Sequence, residues 1–206
     1  MISMLTATAL AITSNPAAAK QQNHFASIFL DGKKIGNIHY TTIHDEEGHV
    51  EELRTKATLT FLGIRIFSFT QNLHEKWRKG KLQYLSGDTE TNGEFDKITV
   101  ERQAKYYEAR INGKLLRLPI NAFPMSFWHF AIGHQTLLFD FRKLELLKVA
   151  VSRDRNRITH HGNPIFAHRF KFSGDLNATL WFDEAKKIVK AEYMESGRRV
   201  LVLIDP

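Results

Sequence analysis

Turn signals punctuate this 206-residue chain at intervals of roughly ten residues, and the segments between them alternate in hydrophobicity with a period of two. Asp31-Gly32-Lys33-Lys34, Arg78-Lys79-Gly80-Lys81, Asn92-Gly93 and Asn112-Gly113-Lys114 each carry the glycine that a tight hairpin places at positive φ. Asp45-Glu46-Glu47-Gly48, Gly63, His161-Gly162-Asn163-Pro164, Ser173-Gly174-Asp175, Asp183-Glu184-Ala185-Lys186 and Glu195-Ser196-Gly197 serve the same purpose. Asp154-Arg155-Asn156 reads as one more turn, dividing a strand at Leu144 to Ser152 from another at Arg157 to His160. Segments this short, joined by hairpins, lie antiparallel to their chain neighbours. The predicted class is all-β: a single highly curved antiparallel meander sheet or open barrel with one short helix or loop segment.

Many segments have one apolar side. Phe166, His168, Phe170 and Phe172 share one parity and Ala167, Arg169 and Lys171 the other, while Phe67, Phe69, Leu73 and Trp77 share theirs with Gln71 and Glu75. A curved sheet that covers its own apolar face produces this pattern, and its interior is either a packed core or a ligand cavity. The 15 phenylalanines supply apolar area that such an interior must bury.

The alternation breaks once, from Pro119 to Gly133. This stretch is aromatic and interrupted by proline, and it predicts a loop with a short helix after Pro124, capped by Ser126. Phe123, Met125, Phe127, Trp128 and Phe130 are the candidate ligand-binding residues, since apolar groups gathered in a loop either recognise a partner or close the end of a core. As a lid they would cover a lipid tail or other apolar ligand; as a plug they would fill the barrel end. Trp77 and Trp181 are expected to line the same interior.

The first residues point to export. Met1 to Ile12 carries no charged side chain, and Ala17-Ala18-Ala19 before Lys20 has the small-residue form of a signal peptidase site. The expected organisation is a signal peptide over 1–19, a short linker over 20–24 and a single β domain over 25–206. No basic residue precedes the apolar run, so the true translation start is expected to lie upstream. No later stretch has the roughly 20 uncharged residues of a membrane-spanning helix, so the expected product is a soluble periplasmic protein. The net charge of +7 comes from Lys and Arg spread along the chain, which favours an anionic envelope surface over nucleic acid. Cysteine is absent, which removes disulfides, thiolate metal sites and a cysteine nucleophile.

Several segments together resemble the exported bacterial proteins of domain-of-unknown-function family 6134. They are Leu30-Asp31-Gly32-Lys33-Lys34-Ile35-Gly36, His74-Glu75-Lys76-Trp77-Arg78-Lys79-Gly80-Lys81-Leu82, Pro124-Met125-Ser126-Phe127-Trp128, and Leu180-Trp181-Phe182-Asp183 with Gly197-Arg198-Arg199. The order and spacing of these segments, from Phe25 to Ile204, carry the resemblance. It implies an envelope β protein and assigns no activity.

The remaining polar residues form no catalytic signature. G-x-S-x-G is absent, and Ser126 stands between Met125 and Phe127, without the glycines of a nucleophile elbow. No metal or cofactor is assigned: His160 and His161 with His168, and His39, His44 and His49, invite a metal site, but adjacent His160 and His161 on one strand face opposite ways unless the strand has ended by His161, and surface or half-buried histidines are the expected reading. Glu75, on an otherwise apolar side, reads as a rim residue paired with a base or as a buried acid. The leading expectation is a periplasmic binding or carrier protein for an apolar or amphipathic ligand of the cell envelope. The alternative is a structural or assembly protein with a solid core that engages an envelope protein. A hydrolase ranks behind both; its mark would be Glu75, Ser126 or several histidines meeting in one pocket.

Overall fold

The computed structural model describes Lys20 to Pro206, so the proposed signal peptide lies outside the described residues. In chain order the strands are β1 (Lys20–Leu30), β2 (Lys33–His44), β3 (Gly48–Phe61), β4 (Ile64–Arg78), β5 (Lys81–Thr91), β6 (Glu94–Arg102), β7 (Tyr106–Ile111) and β8 (Lys114–Pro119). After these come β9 (Phe123–Pro124), β10 (Leu137–Asp140), β11 (Glu145–His160), β12 (Asn163–Gly174), β13 (Ala178–Phe182), β14 (Ile188–Glu195) and β15 (Arg198–Ile204). All join one sheet in the order β8-β7-β6-β5-β4-β3-β2-β1-β15-β14-β13-β12-β11-β10-β9. The sheet is open. The first and last strands lie side by side at its centre, with Ala26 opposite Ile204 and Leu30 opposite Val200.

The turn chemistry fixes this order. The pairs Asp31-Gly32, Leu62-Gly63, Lys79-Gly80, Asn92-Gly93, Asn112-Gly113, His161-Gly162 and Ser196-Gly197 all have both residues at positive φ, the geometry whose twist suits a two-residue hairpin. Glycine takes the second place in every pair at no steric cost. Asn92 and Asn112 add hydrogen bonds, each accepting through Oδ1 from the backbone N–H of Ser68 or Lys97 on the neighbouring hairpin.

Four expectations need correction. The residues read as a turn at Asp154-Arg155-Asn156 lie within the continuous strand β11, where Asp154 opposes Arg169 and Asn156 opposes Ala167 on β12. Their polarity reflects a stretch of the hairpin that is solvent-exposed on both faces: Asp154 is ion-paired with Arg169 on one face, and Arg155 with Glu184. Lys20 to His24, expected as a linker, are the first residues of β1 and pair with Tyr40 to His44. The antiparallel expectation fails at β9, which runs parallel to β10 because the chain has crossed the interior before pairing again. The short helix is a 3-10 turn at Phe130–His134, preceded by His129, so Ser126 does not cap it.

The core lies on the concave face. Leu82, Leu85, Val100, Ala109, Leu180 and Phe182 point inward from both halves of the sheet, and the returning segment adds Ile132, Leu138 and Phe139, all essentially inaccessible to solvent. Gly133 fits there only because it has no side chain: a Cβ would lie 2.6 Å from the ring of Phe170. The segment is anchored at both ends, by Met125 N–H to the Phe139 carbonyl at 2.9 Å and by Arg153 Nε–H to the Gly133 carbonyl at 2.9 Å.

Two strands also approach closely at Gly36, where a Cβ would meet the Lys56 carbonyl oxygen at 2.1 Å. At Gly87 the nearest atom is the movable Leu73 Cδ1 at 2.9 Å. Gly36→Ala is therefore expected to destabilise by about 1–3 kcal/mol, the usual cost of overpacking, and Gly87→Ala by less. Urea midpoints of the two variants would check this ordering; equal losses would contradict it.

Candidate functional site

The inward side of β3 reads Glu51, Leu53, Thr55, Ala57, and the inward side of β4 reads Gln71, Leu73, Glu75, Trp77. In register, Glu51 faces Glu75, Leu53 faces Leu73, and Thr55 faces Gln71. Two carboxylates thus sit directly opposite one another on the core side of adjacent strands, with Glu51 6% and Glu75 2% exposed. Like charges in this position repel, and burying them forfeits hydration, so the neighbours must compensate.

They do so from four elements of the chain. Tyr40 on β2 donates its hydroxyl to Glu51 Oε1 at 2.6 Å, and His49 on β3 brings Nε2 within 3.3 Å of the same oxygen. Trp77 donates its indole N–H to Glu75 Oε2 at 2.7 Å. His129, carried in by the segment between β9 and the 3-10 helix, has Nε2 2.8 Å from Glu51 Oε2 and 3.7 Å from Glu75 Oε2. The His129 N–H is not aligned on either oxygen; Glu51 Oε2, Glu75 Oε1 and His129 Nε2 are buried without a directed hydrogen bond. Trp77 lies against the His129 ring with centroids 4.0 Å apart, and Phe123 meets His129 edge-on.

Burial works to lower the pKa of His129, but Glu51 and Glu75 outweigh it and raise it to about 9. Burial likewise works to raise the pKa of Glu51, and is overcome by His129, His49 and Tyr40, which hold it down at about 2. Tyr40 is pushed far up by burial and by the Glu51 charge.

Beside this cluster lies an interior cavity of about 170 Å³, itself partly open to solvent, lined by Leu53, Leu73, Met125, Phe127, Trp128 and Tyr193 together with Thr55, Gln71, Ser126 and Arg142. A second pocket, of about 240 Å³ and open to solvent, is lined by Tyr40, His49, Glu51, Trp128, Lys186 and Lys187. Trp128 walls both, its indole stacked on the Tyr40 ring with centroids 4.7 Å apart. A wider trough of about 660 Å³ along β11 to β14 is shallower and contains none of the buried carboxylates.

Of the residues expected to bind ligand, Met125, Phe127 and Trp128 line the interior cavity. Phe123 and Trp77 instead pack around His129. Phe130 turns toward Phe170, Phe182 and His168. Trp181 does not share the interior with Trp77; it forms a separate cluster with Ala167 and Val189, under the Lys190 ammonium. Ser126 is buried, and its hydroxyl has no protein partner. His160 and His161 have their rings 4.4 Å apart, with His161 Nε2 2.7 Å from the Ile204 carbonyl oxygen. No acidic ligand joins them among the described residues. Glu51 was overlooked in the sequence although it carries the signal that marks Glu75: an acid in phase with Leu53 and Ala57. His129 has no comparable signal.

The sequence matches the profile of the family described as Domain of unknown function (DUF6134) over residues 27–203. The chain belongs to that family. No curated protein matches it. Among solved structures, this DUF6134 chain is similar to a beta-barrel-like protein of domain of unknown function DUF1849 from Brucella abortus. The TM-score is 0.64 at 8% identity, over 93% of this chain and 98% of that one. At that identity the likeness extends to the fold alone.

The sign of the pH dependence follows from the cluster. His129 has its pKa raised from 6.5 to about 9, so its contribution is complete below pH 6.5 and is lost as pH rises through 9. Glu51 has its pKa lowered from 4.5 to about 2, so its contribution is complete above pH 4.5 and is lost as pH falls through 2. These are two views of one interaction and do not add. Without added divalent cations, the thermal midpoint should hold level from pH 4.5 to 6.5 as far as this cluster is concerned, and decline toward pH 9. In Glu51→Gln the alkaline decline should be smaller and end at lower pH, because the folded-state pKa of His129 falls back toward 6.5; an unchanged profile would contradict the assignment.

Proposed function

We propose that this protein is a binding protein of the bacterial cell envelope that holds an apolar or amphipathic ligand in the cavity beneath Phe123 to Phe130. The observation that carries this reading is the lining. The walls are mainly Leu, Phe, Met and Trp, yet Thr55 Oγ1 and Ser126 Oγ are buried there without a protein partner. A buried hydroxyl left unpaired costs about 1–3 kcal/mol, so an apolar ligand with one polar group suits the space better than a purely hydrocarbon one. Volume narrows the choice further: a dry cavity of about 150 Å³ admits benzene. At about 170 Å³ this one accommodates a ring or a short chain segment, with the rest of a larger lipid left outside. Arg142 stands among the lining residues but is neutralised by Asp140 and Glu195, so the lining suits a neutral polar group better than an acidic one. The export expected from Ala17-Ala18-Ala19 is the support for the envelope location.

A second reading, docking at an envelope surface, rests on the β3–β4 hairpin. Its tip exposes Leu62 at 86%, Ile64 at 68% and Phe61 at 63%, with Phe95 on the adjoining hairpin. Apolar groups concentrated at a hairpin tip serve contact more readily than stability. Lys33, which reaches the Thr60 carbonyl at 3.4 Å, and Arg65 give the tip positive charge. An anionic lipid surface matches both properties.

Native mass spectrometry of protein purified from its own envelope should show an adduct that disappears in Ala191→Leu, which fills the cavity from β14. A wild-type protein with no adduct, or an adduct indifferent to Ala191→Leu, would sink the carrier reading. For the docking reading, sedimentation with phosphatidylglycerol vesicles should fall in a Leu62→Ser, Ile64→Ser double variant and with added salt. Equal sedimentation of wild type and variant would exclude the tip as the contact.

A further inference from the structure

We infer that His49, Glu51 and His129 form a binding site for one divalent transition-metal ion of the zinc class. The site is separate from the proposed ligand cavity, on the other side of Trp128. The first ground is geometric. One donor atom from each of the three residues lies within 4.8 Å of the other two. His49 Nε2 to Glu51 Oε1 is 3.3 Å, and His129 Nε2 to Glu51 Oε2 is 2.8 Å. A tetrahedral ion with bonds of about 2.0–2.1 Å separates its donors by about 3.3 Å, so each imidazole already stands near that spacing from one Glu51 oxygen, and the remaining donor separations close in from within 4.8 Å.

The donor chemistry selects the ion. Two imidazoles and one carboxylate suit zinc and its neighbours, whereas calcium and magnesium take oxygen ligands almost throughout. Charge points the same way. A dication offsets the two buried carboxylates, Glu51 and Glu75, together. It also accounts for Glu51 Oε2 and His129 Nε2, buried so close to each other with no aligned hydrogen bond between them.

The surroundings resemble the outer shell that metal sites use to orient their ligands. Tyr40 fixes Glu51 at 2.6 Å, and Trp77 fixes Glu75 at 2.7 Å, leaving the other Glu75 oxygen free beside the site. His49 and Glu51 also line the solvent-open pocket of about 240 Å³. Three protein ligands, two of them facing an accessible pocket, leave a coordination position for water or an exogenous anion.

Full-length protein, stripped with chelator and dialysed, should bind one equivalent of Zn²⁺ by calorimetry and give the visible bands of low-coordinate Co²⁺. X-ray absorption of the zinc-loaded wild type should show two imidazoles with nitrogen and oxygen neighbours at about 2.0–2.1 Å. Affinity should fall by at least roughly 10- to 100-fold in His49→Ala and in Glu51→Gln, while a His160→Ala, His161→Ala double variant binds as wild type does. Stripped wild type that takes up no Zn²⁺ at micromolar concentration would overturn the inference, as would a spectrum without two imidazoles. So would binding that survives His49→Ala and Glu51→Gln but is lost in the His160, His161 variant. If either single variant fails to fold, the absorption spectrum of the wild type decides.

Discussion

Glu51 and Glu75 oppose each other on the buried face of β3 and β4, and much of the interior is arranged around that fact. Each buried charge costs several kcal/mol of lost hydration, and placing two side by side adds repulsion. A hydrogen bond to a charged group returns about 1.5–3 kcal/mol, so no single partner is enough. Tyr40, His49 and His129 gather on Glu51, and Trp77 on Glu75, because the sum of several such contacts is needed. Three of these partners come from β2, β3 and β4 themselves. The fourth, His129, must be brought from elsewhere in the chain.

That requirement gives the break in the strand pattern a structural meaning. After β8 the chain leaves the sheet, crosses the concave side and pairs again through β9 and β10, and on the way it delivers His129 to the carboxylates. The same passage places Trp128 against Tyr40, Ile132 in the core, and Gly133 under the Phe170 ring. A segment pinned in this way fills one end of the interior and also walls the cavity. Lid and plug are therefore a poor dichotomy here. Ligand access is easier to reconcile with the other side of the cavity, near Arg142, Met194 and Glu195, than with swinging out a buried histidine.

Local chemistry made the architecture legible. Glycine-bearing turns located most hairpins, since φ at those sites is restricted by sterics that a sequence displays. Asp154-Arg155-Asn156 misled because polarity alone does not distinguish a turn from the solvent face of a strand: without glycine or proline, the cross-strand pair Asp154 and Arg169 was the better reading. Glu75 stood out by parity, and Glu51 was available by the same test. His129 was not, because its role depends on where a long-range crossing places it. Trp181 illustrates the converse limit. Its neighbours Leu180 and Phe182 face the core, while Trp181 is buried on the opposite face by Ala167 and Val189, so burial there is two-sided and aromatic identity does not reveal the face.

The register of β3 and β4 also orders the interior. Proceeding inward from the cluster, the facing pairs are Glu51 with Glu75, Leu53 with Leu73, and Thr55 with Gln71. A strand rises by about 3.4 Å per residue, so the charged pair and the neutral polar pair lie about 14 Å apart with an apolar pair between them. The apolar rung and Trp128 keep the carboxylates themselves out of the cavity wall. A ligand in that cavity would therefore meet hydroxyl and amide groups on β3 and β4, and its only full charge would be Arg142 with the acids that neutralise it. Trp128 lines both pockets and stacks on Tyr40, so it is the contact through which a change of charge in the carboxylate cluster would reach the cavity wall.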